Sequence, residues 1–311
     1  MAHLPPDVHI LWTAFLLDLF IPEPPNAAHP VAWMGMAIGA LRDRAPKHGR
    51  WKPLMAGAAI VLAGGALCAV VGLWLHAGFR KLPPPFSILA EALVLKLMFS
   101  ARSLVNAGEA VRRALESGEL EAARRLAGWH LVSRDTSRLD DSQVAAAAIE
   151  SLAENANDSI VAPLLFYGIA GLPGVLAYRF INTCDAMLGY RDLKREWLGK
   201  CSARVDDLAN LVPARLTAAL IILAGVPLGG SVPRAVRTWF RDSRVTASPN
   251  AGHPMSAAAG VLGVELAKCG HYRLGTGERL PAARDIARAR RLVWSTTLLA
   301  MLGISVIKII M

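Results

Sequence analysis

Three carboxylates recur at a spacing of four in the stretch ESLAENANDSIVAPL: Glu150, Glu154 and Asp158. Residues four apart share one face of a helix, and like charges there repel by roughly a few tenths of a kcal/mol per pair. The row also abuts a strongly apolar segment, where ionised groups are expensive. Two readings stay open. The row is a solvated helix face, or it is a site for a cation or for acid/base work. Asn155 and Asn157 stand alongside, and an all-oxygen donor set suits Mg²⁺ better than zinc.

Three further stretches carry polar groups at helical or turn spacing. In YRFINTCDAMLGYRD, Asn182 and Asp185 are three apart and are flanked by Arg179 and Arg191. Acid, amide and guanidinium together fit a metal-phosphate arrangement, or a helix end with paired charges. In ARVDDLANLVPARLT, Arg204, Asp206, Asp207 and Asn210 precede Pro213. The Asp pair is either helix-start charge or a second metal contact. In WHLVSRDTSRLDDSQVAAAAIES, Arg134 and Arg138 could hold a phosphate, while TSRLDDSQ offers several helix caps.

One hexapeptide pattern, Pro-Asn-Ala-x-His-Pro, occurs twice, at 25–30 and 249–254, each followed by a glycine at the same offset, Gly39 and Gly263. Asn in a turn followed by Pro at a first helical position is a common way to begin a helix, and a helix start offers N–H groups to an anion. Two readings share this geometry: a turn reused for structural reasons, or two helix-entry loops facing one anionic substrate site. No P-loop, GxSxG elbow, HExxH or strand–GxGxxG–helix unit is written in the chain. The four cysteines form no CxxC pair, so zinc and disulfide readings are weak.

These groups sit in an apolar chain. Of 311 residues 54% are hydrophobic and only 19% charged, and the mean hydropathy is +0.37. That balance predicts an all-α, polytopic membrane protein with helical polar loops, read as a single domain over 1–311 with about four to six embedded segments. Leu54–Phe79 and Leu292–Met311 are the clearest spans. Ile160–Tyr178 carries Pro163 and GLPG at 171–174, so it spans with a break or is re-entrant. Leu211–Gly230 contains Arg215 and is a shorter or tilted span. Val8–Ile21 holds Asp18 and is read as retained, because neither a basic start nor an Ala-x-Ala site marks a signal peptide. Phe86–Ser103 holds Glu91, Lys96 and Arg102, a weak span or a helix packed inside the protein. The stretch 104–159 is rich in Ala, Glu and Arg at helical spacing. Net charge is +10, concentrated in loops. It implies orientation by the positive-inside rule and attraction to anionic lipid, or an anionic ligand. No nucleic-acid module is present in the sequence.

In order along the chain, DLFIPEPPNAAHPVAWMG, SRDTSRLDDSQVAAAAIESLAENANDSIVAPL, YRFINTCDAMLGYRD, ARVDDLANLVPARLT, SPNAGHP and LGTGERLPAARDI resemble the integral-membrane adenosylcobinamide-phosphate synthases of cobalamin biosynthesis, the CbiB/CobD family. The resemblance implies an ATP-dependent ligase. It joins the propionate carboxylate of adenosylcobyric acid to the amine of (R)-1-aminopropan-2-ol or its O-phosphate. Activating a carboxylate, typically as an acyl phosphate, brings together phosphates, a divalent cation and an anion, so acids and bases are both needed.

On that resemblance Glu150, Glu154, Asp158 and Asp185 are expected to hold Mg²⁺, with Glu154, Asp158, Asp185 and Asp206 catalytic. Either Asp206 or Glu154 accepts the proton of the attacking ammonium. Substrate binding is expected from Arg134, Asn155, Asn182, Tyr190, Arg191, Arg204, Ser248, Asn250, His29 and His253. Two departures stand out. Glu23 lies where the family often has the acid of Gly-Asp-Pro, and His253 and Met255 replace its usual Trp and Glu after SPNAG. The implied setting is the inner membrane, with a cytoplasmic active site and possible association with other late cobalamin enzymes. A transporter of a corrinoid or another anionic solute is the rival reading, since broken apolar segments and intramembrane charges suit one. A membrane scaffold without catalysis is the third.

Overall fold

The computed structural model describes residues 4–132, 134–189, 196–268 and 270–310. In chain order the helices are α1 (Pro6–Phe20), α2 (Pro30–Arg44), α3 (Trp51–Phe79), α4 (Pro84–Lys96), α5 (Ala101–Glu116), α6 (Leu120–His130), α7 (Asp141–Ala156), α8 (Ala162–Leu188), α9 (Glu196–Ala209), α10 (Leu211–Gly225), α11 (Val232–Asp242), α12 (Gly252–Leu262) and α13 (Ala283–Ile310). Strands β1 (Leu266–Lys268) and β2 (Tyr272–Leu274) form an antiparallel ladder before α13. The expected all-α architecture holds. Four helical runs, Trp51–Phe79, Asp141–Leu188, Leu211–Leu228 and Ala283–Ile310, are long and apolar enough to cross a membrane.

The chain forms two compact units. The first comprises Met1–Ser100, Ala162–Asn210 and Met301–Met311, and the second Ala101–Val161 and Leu211–Ala300. In the first, α3 packs on α8 and α9 around Ile38, Ile60, Val61, Phe180, Cys184, Leu188 and Leu198. Glycine makes the approach possible. A Cβ at Gly57 would lie 1.9 Å from the Leu198 carbonyl oxygen, and one at Gly72 would lie 2.6 Å from the Pro173 nitrogen. The interruption expected at GLPG is present. Ala170 and Gly171 leave helical geometry, Gly171 at φ 61°, and Pro173 cannot donate to the preceding turn.

Two weak apolar segments are helices that bury their charges. Asp18 on α1 and Glu91 and Lys96 on α4 are each almost inaccessible. Glu91 meets His76 Nδ1 at 3.1 Å, and Lys96 Nζ meets Glu23 at 3.0 Å. The segment from Phe86 is therefore not one continuous span: α4 stops at Lys96, and α5 starts at Ala101.

In the second unit α12 is buried at every residue, the signature of a helix that is apolar all round. It packs against α7, α10 and α11. A Cβ at Gly260 would come within 2.6 Å of the Ala235 Cα on α11, so these two helices meet backbone to backbone. On α7 the run Ala145–Ala148 is buried, and such small side chains let neighbours close in. Replacing Gly57 by Ala forces α3 away from the Leu198 backbone. We expect a loss of roughly 1–3 kcal/mol of stability, read as a lower thermal midpoint of the protein in detergent; an unchanged midpoint would contradict this packing.

Candidate active site

The site is built on α7, in the second unit. Its start is fixed by a capping box: Asp140 Oδ1 accepts from the Gln143 N–H at 2.8 Å, and Gln143 Oε1 accepts from the Asp140 N–H at 3.0 Å. About two and three helical turns beyond Gln143, Glu150 and Glu154 face a cavity of about 130 Å³ lined also by Leu131, Val132, Arg134, Ser151, Lys268 and Tyr272. Arg134 comes from the turn before α7. That turn is held by Thr136 Oγ1 donating to the Arg124 carbonyl at 2.8 Å, and Ser151 Oγ donates to the Leu131 carbonyl at 2.6 Å. Lys268 and Tyr272 come from the hairpin, where they are directly opposed across the ladder, so their side chains share a face. Asp242 on α11 pins the hairpin by accepting from the buried Gly275 N–H at 2.7 Å.

The electrostatics are mixed by design of the lining. Glu150 is 5% exposed. Its Oε2 accepts from Arg134 Nη2 at 3.3 Å, and its buried Oε1 has no partner within hydrogen-bond distance, with the Tyr272 hydroxyl close by. A buried acceptor left this way costs about 1–3 kcal/mol, so this oxygen is disposed to accept from a further donor. Two acids and two bases line the same small space. Burial, and then the charges of Glu150 and Glu154, raise the Tyr272 phenol above its ordinary pKa, so it stays protonated as a donor.

The expected row of three acids is divided. A π-helical turn, Asn157–Val161, follows α7 and changes the phase of the helix after Glu154. Asp158 does not line the cavity; its Oδ1 accepts from Asn157 Nδ2 at 2.8 Å. Asn157 Oδ1 in turn accepts from Thr217 Oγ1 at 3.0 Å. Asn155 is engaged within its own helix, donating to Ser151 O at 3.0 Å. Among the described residues no group of three or more His, Cys, Asp or Glu is placed to hold a metal ion.

The second Pro-Asn-Ala-x-His-Pro copy leads into α12. Asn250 Oδ1 accepts from Arg215 Nη1 at 2.8 Å, and Ser248 Oγ accepts from the Asn250 N–H at 3.2 Å. His253 Nδ1 accepts from Trp239 Nε1 at 2.9 Å. Burial, followed by the charges of Arg215 and Arg244, pushes the His253 pKa down to about 4. Pro254 stands in the third position of α12, not the first as expected, because the helix already begins at Gly252.

The other expected residues lie in the first unit. Asp206 is bracketed by amides: Asn182 Nδ2 donates to one oxygen at 3.4 Å and Asn210 Nδ2 to the other at 3.0 Å. Tyr178 donates to Asn210 Oδ1 at 3.0 Å. Asp185 is half-buried near the end of α8, and Arg204 on α9 is exposed. Tyr190 and Arg191 lie outside the described residues. His29 caps α2, its Nδ1 accepting from the Val31 N–H at 3.2 Å, while Nε2 meets Glu23 at 3.1 Å. Both ring nitrogens are thus occupied. Burial raises the Glu23 pKa, but the His29 and Lys96 hydrogen bonds outweigh it and hold the carboxyl below its ordinary range. The acid of IPEP is the centre of a structural ion cluster.

Sequence reasoning missed Lys268 and Tyr272. A two-residue contribution from a three-residue ladder carries no motif, and the alternation KCGHY is too short to mark a hairpin.

The fold and this pocket define an integral membrane protein with a charged cavity beside its apolar helices. Residues 11–293 match the family model described as CobD/Cbib protein. The chain is 41% identical over 266 residues to the cobalamin biosynthesis protein CobD of Dehalococcoides mccartyi, covering 86% of each chain. It is 35% identical over 303 residues to that of Klebsiella pneumoniae, covering 93% of each. It is 39% identical over 269 residues to a probable CobD of Methanothermobacter thermautotrophicus, covering 86% of this chain and 87% of the relative. No solved structure matches the chain. The chain belongs to the CobD/Cbib family, and its role lies in cobalamin biosynthesis.

The depressed His253 pKa has a consequence for stability. The neutral ring is favoured in the folded protein, so its contribution is complete above the ordinary value of 6.5 and is lost as pH falls towards about 4. We expect the thermal midpoint to fall across that window and the fall to be smaller in His253→Gln. Parallel pH profiles for the two proteins would show that His253 does not titrate there.

Proposed function

We propose that the protein is the amide-forming ligase of this family, joining the propionate carboxylate of adenosylcobyric acid to the amine of (R)-1-aminopropan-2-ol or its O-phosphate at the expense of ATP. The observation that carries the reading is the meeting of Glu150 and Glu154 with Arg134, Lys268 and Tyr272 around one cavity. At about 130 Å³ the cavity is smaller than the roughly 300–1,000 Å³ of sites that enclose a drug-sized ligand. It suits a small amine or a phosphoryl group, and the corrinoid would offer only its propionate arm.

The reaction balances simply. The propionate oxygen takes the terminal phosphoryl group of ATP and ADP leaves. The amine nitrogen then bonds to the acyl carbon, phosphate departs with the oxygen, and the ammonium loses its proton. We assign Glu154 to accept that proton and Arg134 with Lys268 to neutralise phosphoryl oxygens. The Tyr272 hydroxyl orients an oxygen of either substrate. Mg²⁺ would add charge neutralisation of the phosphates. Proteins commonly hold it through one or two carboxylates with phosphates completing the shell, and Glu150, with its unpartnered oxygen, fits that use. Metal roles for Asp158 and Asp185, a base role for Asp206, and substrate contacts by Asn182 and Arg204 rest on the resemblance alone. The basic loops support an inner-membrane protein with this site on the cytoplasmic side, where ATP is held.

Purified protein in detergent should hydrolyse ATP only when cobyric acid and an aminopropanol or its phosphate are both present, giving a cobinamide product by mass. Glu154→Gln should lower kcat by about 10²–10⁴-fold with the protein still folded, and Arg134→Met should act mainly on KM. Uptake of a corrinoid into proteoliposomes without covalent change would favour the transporter reading, and near-normal turnover of Glu154→Gln would remove the assigned base.

A further inference from the structure

Helix α11 is amphipathic in an unusual sense. Its inner face, Ala235, Thr238 and Asp242, is buried and packs against α12. Its outer face exposes Arg237, Phe240 and Arg241, and Arg244 and Val245 continue the exposed surface just past its end. These positions recur at three and four residues, the helical period. Phe240 is 73% exposed, an aromatic ring standing between arginines. The single acid of residues 231–250, Asp242, is turned inward. Arg234 is also engaged inward, donating to the Gly260 carbonyl at 2.8 Å. The outer face is therefore cationic and aromatic: Asp242 pairs with Arg241 and the part-exposed Glu278 lies beside Arg234 and Arg241, while no acid of α11 itself is exposed.

Its position in the chain says what it meets. The run Leu211–Leu228, long and apolar enough to cross a membrane, is separated from α11 by three residues. Gly229 turns the chain at φ 76°, and Ser231 Oγ caps the new helix by accepting from the Arg234 N–H. A helix that starts so soon after a span begins at the level of the headgroups. A basic helix with an exposed aromatic ring at that level is built to lie on a bilayer, where each arginine near an anionic leaflet contributes about 1 kcal/mol.

We propose that α11 is a membrane-surface anchor that binds anionic phospholipid headgroups of the bilayer through Arg237, Arg241 and Arg244, with Phe240 inserted at the boundary of the acyl chains. Arg241 can serve while keeping its bidentate pair with Asp242, at 2.6 and 2.8 Å, because its side chain is 48% exposed. The proposal is independent of the reaction assigned above.

Hydrogen exchange of the full-length protein in nanodiscs tests it. In phosphatidylcholine mixed with phosphatidylglycerol, peptides covering 232–245 should exchange on the order of tenfold more slowly than in phosphatidylcholine alone. High salt, or the combined change Arg237→Gln and Arg244→Gln, should remove the difference. Equal exchange in the two lipid mixtures would overturn the proposal without any variant being made. Equal protection by soluble glycerophosphoglycerol in phosphatidylcholine discs would overturn it too, by showing that a free phosphate, not the bilayer, is the ligand.

Discussion

Burying an ion in an apolar chain costs several kcal/mol unless another group meets it, and that constraint organises both units of this protein. Lys96 meets Glu23, and Glu91 meets His76. Asp206 is held by two amides, and Asp242 by Arg241 and the Gly275 N–H. Against this background Glu150 differs. One of its oxygens is met by Arg134 and the other is left without a partner. These acids are met on the protein side, whereas Glu150 turns an oxygen without a close partner to the wall of a cavity. That difference, more than the presence of acids, is what makes this cavity the candidate site.

The second unit shows how packing serves that region. Because α12 is wholly buried, it fixes α7 on one side and α11 on another. The acids ride on α7, and the hairpin that carries Lys268 and Tyr272 is tied to α11 through Asp242. Helix α11 thus has two faces with separate duties: an inner one that places the hairpin and an outer one shaped for the membrane surface.

The two Pro-Asn-Ala-x-His-Pro copies illustrate how a repeated pattern can diverge in use. Each histidine accepts a hydrogen bond at Nδ1, from the Val31 N–H in one copy and from the Trp239 indole in the other. In the first, Nε2 is bound to Glu23 and the ring is a helix cap. In the second, burial and two neighbouring cations hold the ring neutral. The copies fall in different units, so the local chemistry of each, and not the pattern, sets its role.

Much was legible in the residues themselves. Hydropathy alone located the spans, since length and apolar content are local properties. The break at Ala170–Gly171 followed from GLPG, and the cap of α7 from TSRLDDSQ, because turn and cap preferences act within a few residues. The ordered blocks placed the chain in its family. Tertiary structure alone decided the rest. The π-turn after α7 separated Asp158 from the Glu150–Glu154 face, which a spacing of four could not foretell. Lys268 and Tyr272 reached the cavity only because a short ladder folds back over α7. His29 and Glu23 proved to be a cap and an ion cluster because Lys96, some seventy residues away in the chain, closes on them. Each of these depends on which distant group supplies a partner, and no local pattern encodes that.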